Sequence, residues 1–428
     1  MGWTDLIAAD ALKAKGKAVV RHHGRQILII AMPKGVKALA NRCPHEGYPL
    51  SEGVLGEDCV LTCNWHNWKF DLASGETLGG RDRLSQWPAK VEAGRVLVDL
   101  TPEDPCARRE RVMAGLVQGL RYEDQERIVR ESARLMQLPG DPADAVRVAL
   151  DWAADRFEFG TTHAVAGAPD WLGLFDKKSL KADERLAALG EVVGHIADDA
   201  RGARYPLPTG EAPWDAGAFL AAVEGEDEAA AIALIRGALA DGLTATDLLP
   251  TLARAALSHY ADFGHSLIYV IKTEALVRRL GEPSAALLLG QLARSLIYAR
   301  REDLLPEFRD YAARLSAWGA ASRTVQPLDA KALRGRSARQ CMALVSAWGA
   351  IHAPEAIFAV LVEASAWTLL HVDEPVLLRT DGKLADNVGW LDFTHALTFA
   401  DAGTVAVRLL PDLWPALLLQ LACFVGRN

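Results

Sequence analysis

The sequence predicts an α+β multidomain protein in which a small all-β domain, residues 1–104, precedes a large all-α domain, residues 105–428. Between about Lys17 and Leu100, short apolar and β-branched runs such as QILIIAM and RVLVDL alternate with glycine and proline, which is typical of a compact sheet. Beyond TPEDP, Thr101–Pro105, which we interpret as a linker, apolar residues recur every three or four positions, which is typical of helices. A chain of 428 residues also exceeds one compact core.

The composition limits the classes of partner. Half of the residues are hydrophobic and 24% are charged, as in an ordinary globular protein. The formal net charge is −8 and no run of lysine and arginine occurs, which argues against nucleic acid and anionic membranes as partners. Small molecules and other proteins remain as expected partners.

The sequence favours a cytoplasmic location without a membrane span. The first residues lack the apolar segment of a secretory signal. The most apolar late segment, Thr404–Phe424, is interrupted by two prolines and two charged residues, so it is too polar to cross a membrane. Six cysteines in so long a chain do not form a disulfide framework, and a reducing compartment favours thiols that bind metal.

Two cysteines and two histidines stand in paired motifs within the predicted sheet domain. Cys43 and His45 form a C-x-H motif, and Cys63 and His66 form a C-x-x-H motif seventeen residues later. Two thiolates and two imidazoles can bind zinc tetrahedrally. The same four ligands can also hold a [2Fe-2S] cluster in which one iron takes the thiolates and the other takes the imidazoles.

The residues that flank these motifs favour the cluster. Gly47, Pro49-Leu50 and Ser51 follow the first pair, and Trp68, Phe70 and Asp71 follow the second. With these flanks, residues 3–100 resemble the Rieske [2Fe-2S] ferredoxin-type domains along their whole length. The resemblance implies that Cys43, His45, Cys63 and His66 bind the cluster, which passes single electrons.

Two departures from the family pattern carry information. Respiratory Rieske proteins join the two loops by a disulfide, whereas here Tyr48 and Asn64 or Trp65 stand at the neighbouring positions. Fewer polar contacts to the cluster imply a reduction potential toward the negative end of the Rieske range of about −150 to +300 mV, which suits electron supply to an oxygenase. Asn67 stands where the family usually has glycine, and asparagine tolerates the left-handed backbone that this turn requires.

Substrate chemistry must lie in the helical part or in a partner protein. His259 and His265 are five residues apart, which superficially fits the mononuclear iron site of Rieske non-haem oxygenases. However, Ala256 stands where that family has an acidic or amide residue, and the flanking sequence predicts helices where that family has a sheet.

A repeated tetrapeptide supplies the second candidate site. DFGH at Asp262–His265 and DFTH at Asp392–His395 place a carboxylate and an imidazole three residues apart, as on the metal-binding helices of helix bundles. His163, with Glu158 nearby, is a further candidate ligand, as are His195, His259 and His371. The alternative is that each histidine is an ordinary core or surface residue.

The segments Gly264–Ala299 and Thr394–Trp414 resemble the histidine-led helices of the questin oxidase-like family, and the sequence around His163 is similar to a third such helix. The resemblance spans about residues 110–428. It implies an all-helical monooxygenase that acts on aromatic polyketides with a nicotinamide reductant.

The combined hypothesis is a Rieske-linked monooxygenase. An external reductase or ferredoxin, supplied by NAD(P)H, loads the cluster, which feeds a site of His163, His265, His395, Asp262 and Asp392 where non-haem iron activates dioxygen. An aromatic substrate would bind among tryptophans, most of which are expected in the core: Trp171, Trp318, Trp348, Trp367 and Trp390. The rival hypothesis is a non-catalytic electron carrier with a helical docking or oligomerisation domain, and in either case a homo-oligomer would shorten electron transfer.

Overall fold

The computed structural model describes residues 2–56, 58–78, 82–200, 202–319, 327–373, 375 and 390–428, with side chains from 393 onward in the last stretch. The chain forms two compact units, Met1–Ala145 and Val146–Asn428. The first contains the strands and the second is helical, so the predicted fold class is confirmed.

The strands of the first unit are short and antiparallel. They are β1 (Trp3–Ala8), β2 (Lys17–His22), β3 (Arg25–Met32), β4 (Gly35–Ala40), β5 (Val54–Leu55), β6 (Val60–Thr62), β7 (Lys69–Asp71), β8 (Gln86–Trp87), β9 (Ala89–Glu92) and β10 (Arg95–Asp99), with helix α1 (Ala9–Lys15) after the first strand. They pair as three sheets in the orders β2-β3-β4-β8, β1-β10-β9 and β5-β6-β7.

Strand β3 separates two hydrophobic cores. Its residues Ile27 to Ile30 are all buried, because successive side chains point to opposite faces and both faces are covered. Leu28 and Ile30 pack with Cys43, Cys63 and other residues beneath the paired motifs. Ile27 and Ile29 pack against the side formed by α1 and β10. The motif loops therefore rest on a core that the strand pattern itself builds.

Two helices complete the first unit. Helix α2 (Pro105–Arg121) begins with a proline after Asp104, whose carboxylate accepts a hydrogen bond from the amide of Ala107. Helix α3 (Gln125–Leu135) follows a similar cap at Asp124. The secondary structure thus changes at the predicted linker, but the compact unit extends to Ala145, beyond the expected boundary at residue 104.

Ion pairs attach α3 to the strand region. Arg130 lies 3.2 Å from the carboxylate of Asp82, which is almost fully buried, and Arg134 lies 3.6 Å from the same carboxylate. A buried carboxylate requires such partners, because an unpaired buried charge is costly. These contacts account for the grouping of α3 with the sheets, which hydrophobic periodicity did not predict.

The second unit is helical in its described residues. Helix α4 (Asp144–Ala153) leads into it, and its other helices are α5 (His163–Phe175), α6 (Ala182–Asp199), α7 (Ala216–Glu224), α8 (Glu228–Ala240), α9 (Ala245–Leu257), α10 (His265–Leu280), α11 (Ala285–Ile297), α12 (Tyr311–Ser316), α13 (Ala338–Gly349), α14 (Pro354–Leu370), α15 (Trp390–Leu409) and α16 (Trp414–Arg427). Alanine and leucine dominate the buried faces. In the part of the chain that the structure describes, no helix combines the length and apolarity that a bilayer crossing requires.

The two tetrapeptides differ in structure, and the prediction that both lie on helices is wrong for the first. Asp262, Phe263 and Gly264 have φ values of 47°, 54° and 80°, so they form a left-handed turn, and α10 begins only at His265. The backbone of Asp392–His395 lies within α15, as predicted. A glycine before the histidine in DFGH, where DFTH has threonine, permits the turn.

Candidate metal centres

The two motif loops have the same backbone construction. The amide of Cys43 donates to the carbonyl of Tyr48 at 2.8 Å, and the amide of Cys63 donates to the carbonyl of Trp68 at 2.7 Å. Four residues after each cysteine the chain turns left-handed, with φ of 81° at Gly47 and 58° at Asn67. The prediction that Asn67 preserves the turn is therefore confirmed.

The two thiols and the two imidazoles of the motifs lie at different depths in the domain. The thiols of Cys43 and Cys63 are buried, with exposures of 3% and 1%. The Nδ1 atoms of His45 and His66 lie 3.1 Å apart, nearer the surface. One pair of thiols beside one pair of imidazoles is the donor set that a [2Fe-2S] cluster with mixed ligation requires.

Burial of the thiols supports a role with a cation. Burial raises the pKa of the Cys43 thiol to about 11, although amides of the following residues favour its thiolate. A buried thiolate at neutral pH therefore needs a positive charge beside it, which ferric iron provides. None of the six cysteines, all of which lie among the described residues, forms a disulfide, in agreement with the sequence interpretation.

Aromatic and acidic residues surround the outer imidazoles. His45 stacks on Trp68 with ring centroids 4.6 Å apart. The Nε2 atom of His45 lies 3.7 Å from the carboxylate of Glu126 on α3, and that of His66 lies 3.8 Å from Glu46. Both imidazoles thus direct Nδ1 inward and Nε2 outward. Paired loops with buried thiols and outward imidazoles above small antiparallel sheets define an iron–sulfur electron-transfer domain.

Comparison with known proteins gives the same result. Residues 2–88 match the family model of the Rieske [2Fe-2S] domain. The ferredoxin component of an alkene monooxygenase system from Xanthobacter autotrophicus is 33% identical over 101 residues, which are 23% of this chain and 83% of that protein. The ferredoxin subunit of methanesulfonate monooxygenase from Methylosulfonomonas methylovora is 31% identical over 24% of this chain and 85% of that protein.

Among solved structures, the ferredoxin of carbazole 1,9a-dioxygenase from Nocardioides aromaticivorans IC177 is 22% identical. The match covers 23% of this chain and 97% of that one, with a TM-score of 0.22. Through its amino-terminal region, the chain belongs to the Rieske [2Fe-2S] family. These relatives match about the first quarter of the chain, so they do not describe the helical unit.

Three histidines from separate helices meet within the second unit. The Nε2 atom of His265 lies 2.9 Å from Nε2 of His163 and 2.7 Å from Nε2 of His395. All three nitrogens fall within 4.8 Å of one another. Exposure decreases from His163, which reaches the surface, to His395, which is buried. We call these residues the histidine cluster.

The first member of the histidine cluster is positioned by a close backbone approach. His163 begins α5, which Thr162 caps. Two residues before that cap, Gly160 has a φ of 85°, and a Cβ atom on it would lie 2.1 Å from the carbonyl oxygen of Gln291. Only glycine allows this contact, and the amide of Thr161 donates to the same carbonyl at 3.2 Å.

The left-handed turn positions His265. A Cβ atom on Gly264 would lie 2.9 Å from both Phe399 and Phe424, so the turn is packed tightly against α15 and α16. Within it, the carbonyl of Asp262 accepts a hydrogen bond from Nδ1 of His265 at 2.5 Å. Because a carbonyl can only accept, Nδ1 carries the proton and the Nε2 lone pair faces the other two histidines.

The electrostatics favour a neutral imidazole at His265. Burial and the neighbouring histidines lower its pKa to about 4. A single Nε2 lone pair cannot accept two full hydrogen bonds, yet two imidazole nitrogens approach it within 2.9 Å. A cation between the three nitrogens would account for both approaches, and neutral imidazoles are common ligands of zinc and iron.

Of the two predicted carboxylates, that of Asp262 does not join the histidine cluster. The nearest carboxylate oxygen of Asp262 lies 3.9 Å from Nδ1 of His265, on the side of the ring opposite Nε2. Burial raises the pKa of Asp262. The side chain of Asp392 lies outside the described residues.

Sequence reasoning missed Glu302, which lies behind the turn. Its carboxylate accepts a hydrogen bond from the amide of Phe263 at 3.1 Å, and burial raises its pKa to about 7. Phe263 in turn lies against His395, with ring centroids 5.8 Å apart. Glu302 belongs to no motif and is distant in sequence from the turn that it supports. The sequence predicted a helix at that turn, so it gave no reason to look for a supporting carboxylate.

The other candidate histidines have other partners. His259 lies between two carboxylates, with Nδ1 3.0 Å from Asp303 and Nε2 2.6 Å from Glu224. His195 pairs with Glu191 on its own helix, His371 stacks on Trp367 and Glu158 is exposed. His259 therefore does not share a site with His265, which removes the support for a Rieske non-haem oxygenase iron site at these two residues.

The tryptophans are used mainly in packing. Trp348 is buried, and Trp171 lies against His195 with ring centroids 6.2 Å apart. Trp318 packs so closely on Gly349 that a Cβ atom there would lie 2.3 Å from the ring, which joins the two SAWGA segments. Trp367 lines a cavity, and the side chain of Trp390 is outside the described residues. The expected aromatic pocket therefore stays a prediction.

Proposed function

We propose that this chain is a Rieske-linked oxidoreductase of the oxygenase type. Cys43, His45, Cys63 and His66 hold the [2Fe-2S] cluster, and the histidine cluster holds a non-haem iron ion. The observation that carries the proposal is the approach of three imidazole nitrogens from α5, α10 and α15 within 4.8 Å of one another. The identity of the first unit supports it, since an electron-transfer domain requires an acceptor.

Each group of residues has a defined task in this proposal. The [2Fe-2S] cluster accepts and releases single electrons, and iron held by imidazoles supplies one-electron chemistry with dioxygen. Trp68 holds the ring of His45, and the outward Nε2 atoms of His45 and His66 present the cluster edge to an external reductase or ferredoxin. In the second unit, the carbonyl of Asp262 keeps the proton of His265 on Nδ1.

The substrate side follows from the graded burial of the histidine cluster. His395 and His265 are covered, whereas His163 is exposed, so a small molecule would approach from the His163 side. Tyr269 lies 5.2 Å from His265 and 6.1 Å from His163 between ring centroids, and burial raises its pKa. Its neutral phenol remains a hydrogen-bond donor at all ordinary pH values. We propose an aromatic substrate and NAD(P)H as the ultimate electron source, reached through a separate reductase.

The relatives favour a second candidate function. The relatives from Xanthobacter autotrophicus and Methylosulfonomonas methylovora are ferredoxin parts of monooxygenases, which supports an electron carrier whose helical unit docks a partner. This alternative assigns no iron to the histidine cluster.

Iron analysis separates the two functions. We expect the Cys43→Ser/Cys63→Ser double variant, loaded anaerobically with ferrous iron and desalted, to retain about one iron per chain. Adding His265→Ala should remove that iron. Adding His371→Ala, which changes a histidine that does not belong to the histidine cluster, should not. An iron-free double variant would exclude the proposed iron site and favour the carrier, or a metal-free oxygenase of the kind that the resemblance of the helical part allows. Oxygen uptake by the native chain with a reductase and a panel of aromatic compounds then tests the reaction.

A further inference from the structure

A cavity lined by three arginines lies in the second unit. It has a volume of about 310 Å³ and lies between the turn at 333–336, α14 and the end of α16. Arg334, Arg336 and Arg427 line it, and no aspartate or glutamate is among its described lining residues. The chain as a whole has 55 acidic and 47 basic residues, so this local excess of cations runs against the overall balance. Such a cavity attracts anions.

The guanidinium groups are held in place by neighbouring side chains and backbone. Arg334 lies over the ring of Trp367, 3.9 Å from its centroid. A stacked guanidinium keeps its N–H edges available for a carboxylate or phosphate. The Nε group of Arg336 donates to the carbonyl of Ala332. Orientation before binding lowers the entropic cost of capturing a ligand.

Arg427 is held from two sides. Its guanidinium lies 5.0 Å from the ring centroid of Phe263, and Glu307, which does not line the cavity, lies 3.5 Å from Nη1. The glutamate neutralises part of one of the three arginine charges that line the cavity. The close approach of α16 to the start of α13, just after the turn at 333–336, depends on Gly426. A Cβ atom on Gly426 would lie 2.4 Å from the backbone of Ala338.

The rest of the wall is apolar. Leu333, Ala364, Val425 and the ring of Trp367 face the same space. The volume is at the lower end of the range of about 300–1,000 Å³ that is usual for small organic ligands. A cationic rim with an apolar wall matches a molecule that carries one anionic group on an apolar body.

We propose that this cavity binds an organic anion whose carboxylate or phosphate group contacts Arg334, Arg336 and Arg427 and whose apolar body contacts Leu333, Ala364 and Val425. The site is separate from the histidine cluster and does not depend on iron there.

Calorimetric titration of the full chain tests this site. The probes are 2-naphthoate, 2-naphthyl phosphate, the neutral 2-naphthylmethanol and inorganic phosphate. At least one naphthyl anion should bind about 10-fold or more tightly than the alcohol and than inorganic phosphate, because charge-assisted hydrogen bonds are the strong ones. The stronger of the two anions identifies the anionic group.

Variants locate the binding. Arg334→Gln should weaken the preferred anion about 10-fold or more and leave the alcohol unchanged. Arg278→Gln, an exposed arginine on α10, is the matched control and should change neither. Arg427→Gln provides a second test, and urea midpoints show that each variant is folded. Equal binding of the alcohol and the anions, failure of both anions to bind at millimolar concentration, or unchanged binding in both Arg334→Gln and Arg427→Gln would each overturn the proposal.

Discussion

The Rieske loops and the histidine cluster both bring metal-binding side chains together, but they do so over very different distances along the chain. In the loops, each cysteine stands two or three residues from its histidine, and a backbone hydrogen bond between residues five apart closes each turn. In the histidine cluster, His265 is 102 residues from His163 and 130 from His395. A local site can be recognised as a motif, whereas a distributed site exists only once the helices have packed.

The two sites also differ in the charge of their ligand groups. The loops bury the thiol of Cys43, and because burial raises its pKa to about 11, its ionised form requires a cation. In the histidine cluster, burial keeps the imidazole of His265 neutral, so this residue carries no charge that an absent metal would leave unpaired. We expect one substitution to abolish the [2Fe-2S] cluster at the first site and to weaken iron binding strongly at the second.

Removal of one thiol should have the largest effect. Cys43→Ser is expected to abolish the visible absorption of the oxidised cluster and the electron paramagnetic resonance signal of the reduced cluster, because the iron loses a buried ligand. Cys106→Ser changes an exposed cysteine and should leave both signals intact. Far-ultraviolet circular dichroism should show unchanged helix content in both variants. Retained cluster signals in Cys43→Ser would show that this residue is not a ligand.

A single substitution in the histidine cluster should act on that site alone. His395→Ala is expected to weaken the binding of ferrous iron to the histidine cluster by more than about 100-fold. Even substitutions of residues that only support a metal ligand cost about 10- to 100-fold in affinity. The Rieske signal should be unchanged, which distinguishes a local loss from unfolding. Equal iron affinity in His395→Ala and in the native chain would show that this histidine is not a ligand.

Substitution in the left-handed turn tests whether tertiary packing creates the second site. Gly264→Ala introduces a Cβ atom 2.9 Å from two phenylalanines at a φ of 80°, so we expect a loss of about 2–4 kcal/mol in the free energy of unfolding, together with weaker iron binding. Gly173→Ala lies in α5 with open space around it and should be neutral or slightly stabilising. Urea denaturation measures both. Equal stability of the two variants would contradict the role of the turn.

The smallest expected effect concerns His259. Its partners Asp303 and Glu224 raise its pKa, with Asp303 the larger cause against the opposing effect of burial. Its stabilising contribution is therefore complete below its unfolded pKa of about 6.5 and is lost as the pH rises through the higher folded value. His259→Gln should lower the urea midpoint more at pH 6 than at pH 9. His195→Gln, which changes a half-exposed histidine, should show a smaller difference.

The sequence alone determined the Rieske domain, because each pair of ligands and the turn that closes it lie within a short stretch of the chain. It predicted Cys43, His45, Cys63, His66 and the turn at Asn67, and it identified His163, His265 and His395 as candidates. Tertiary structure decided the rest. The backbone turn at Asp262, the grouping of α3 with the sheets, the carboxylate of Glu302 and the arginine cavity depend on contacts between distant segments. Hydrophobic periodicity shows which face of a helix is buried, but it does not show which helix it meets.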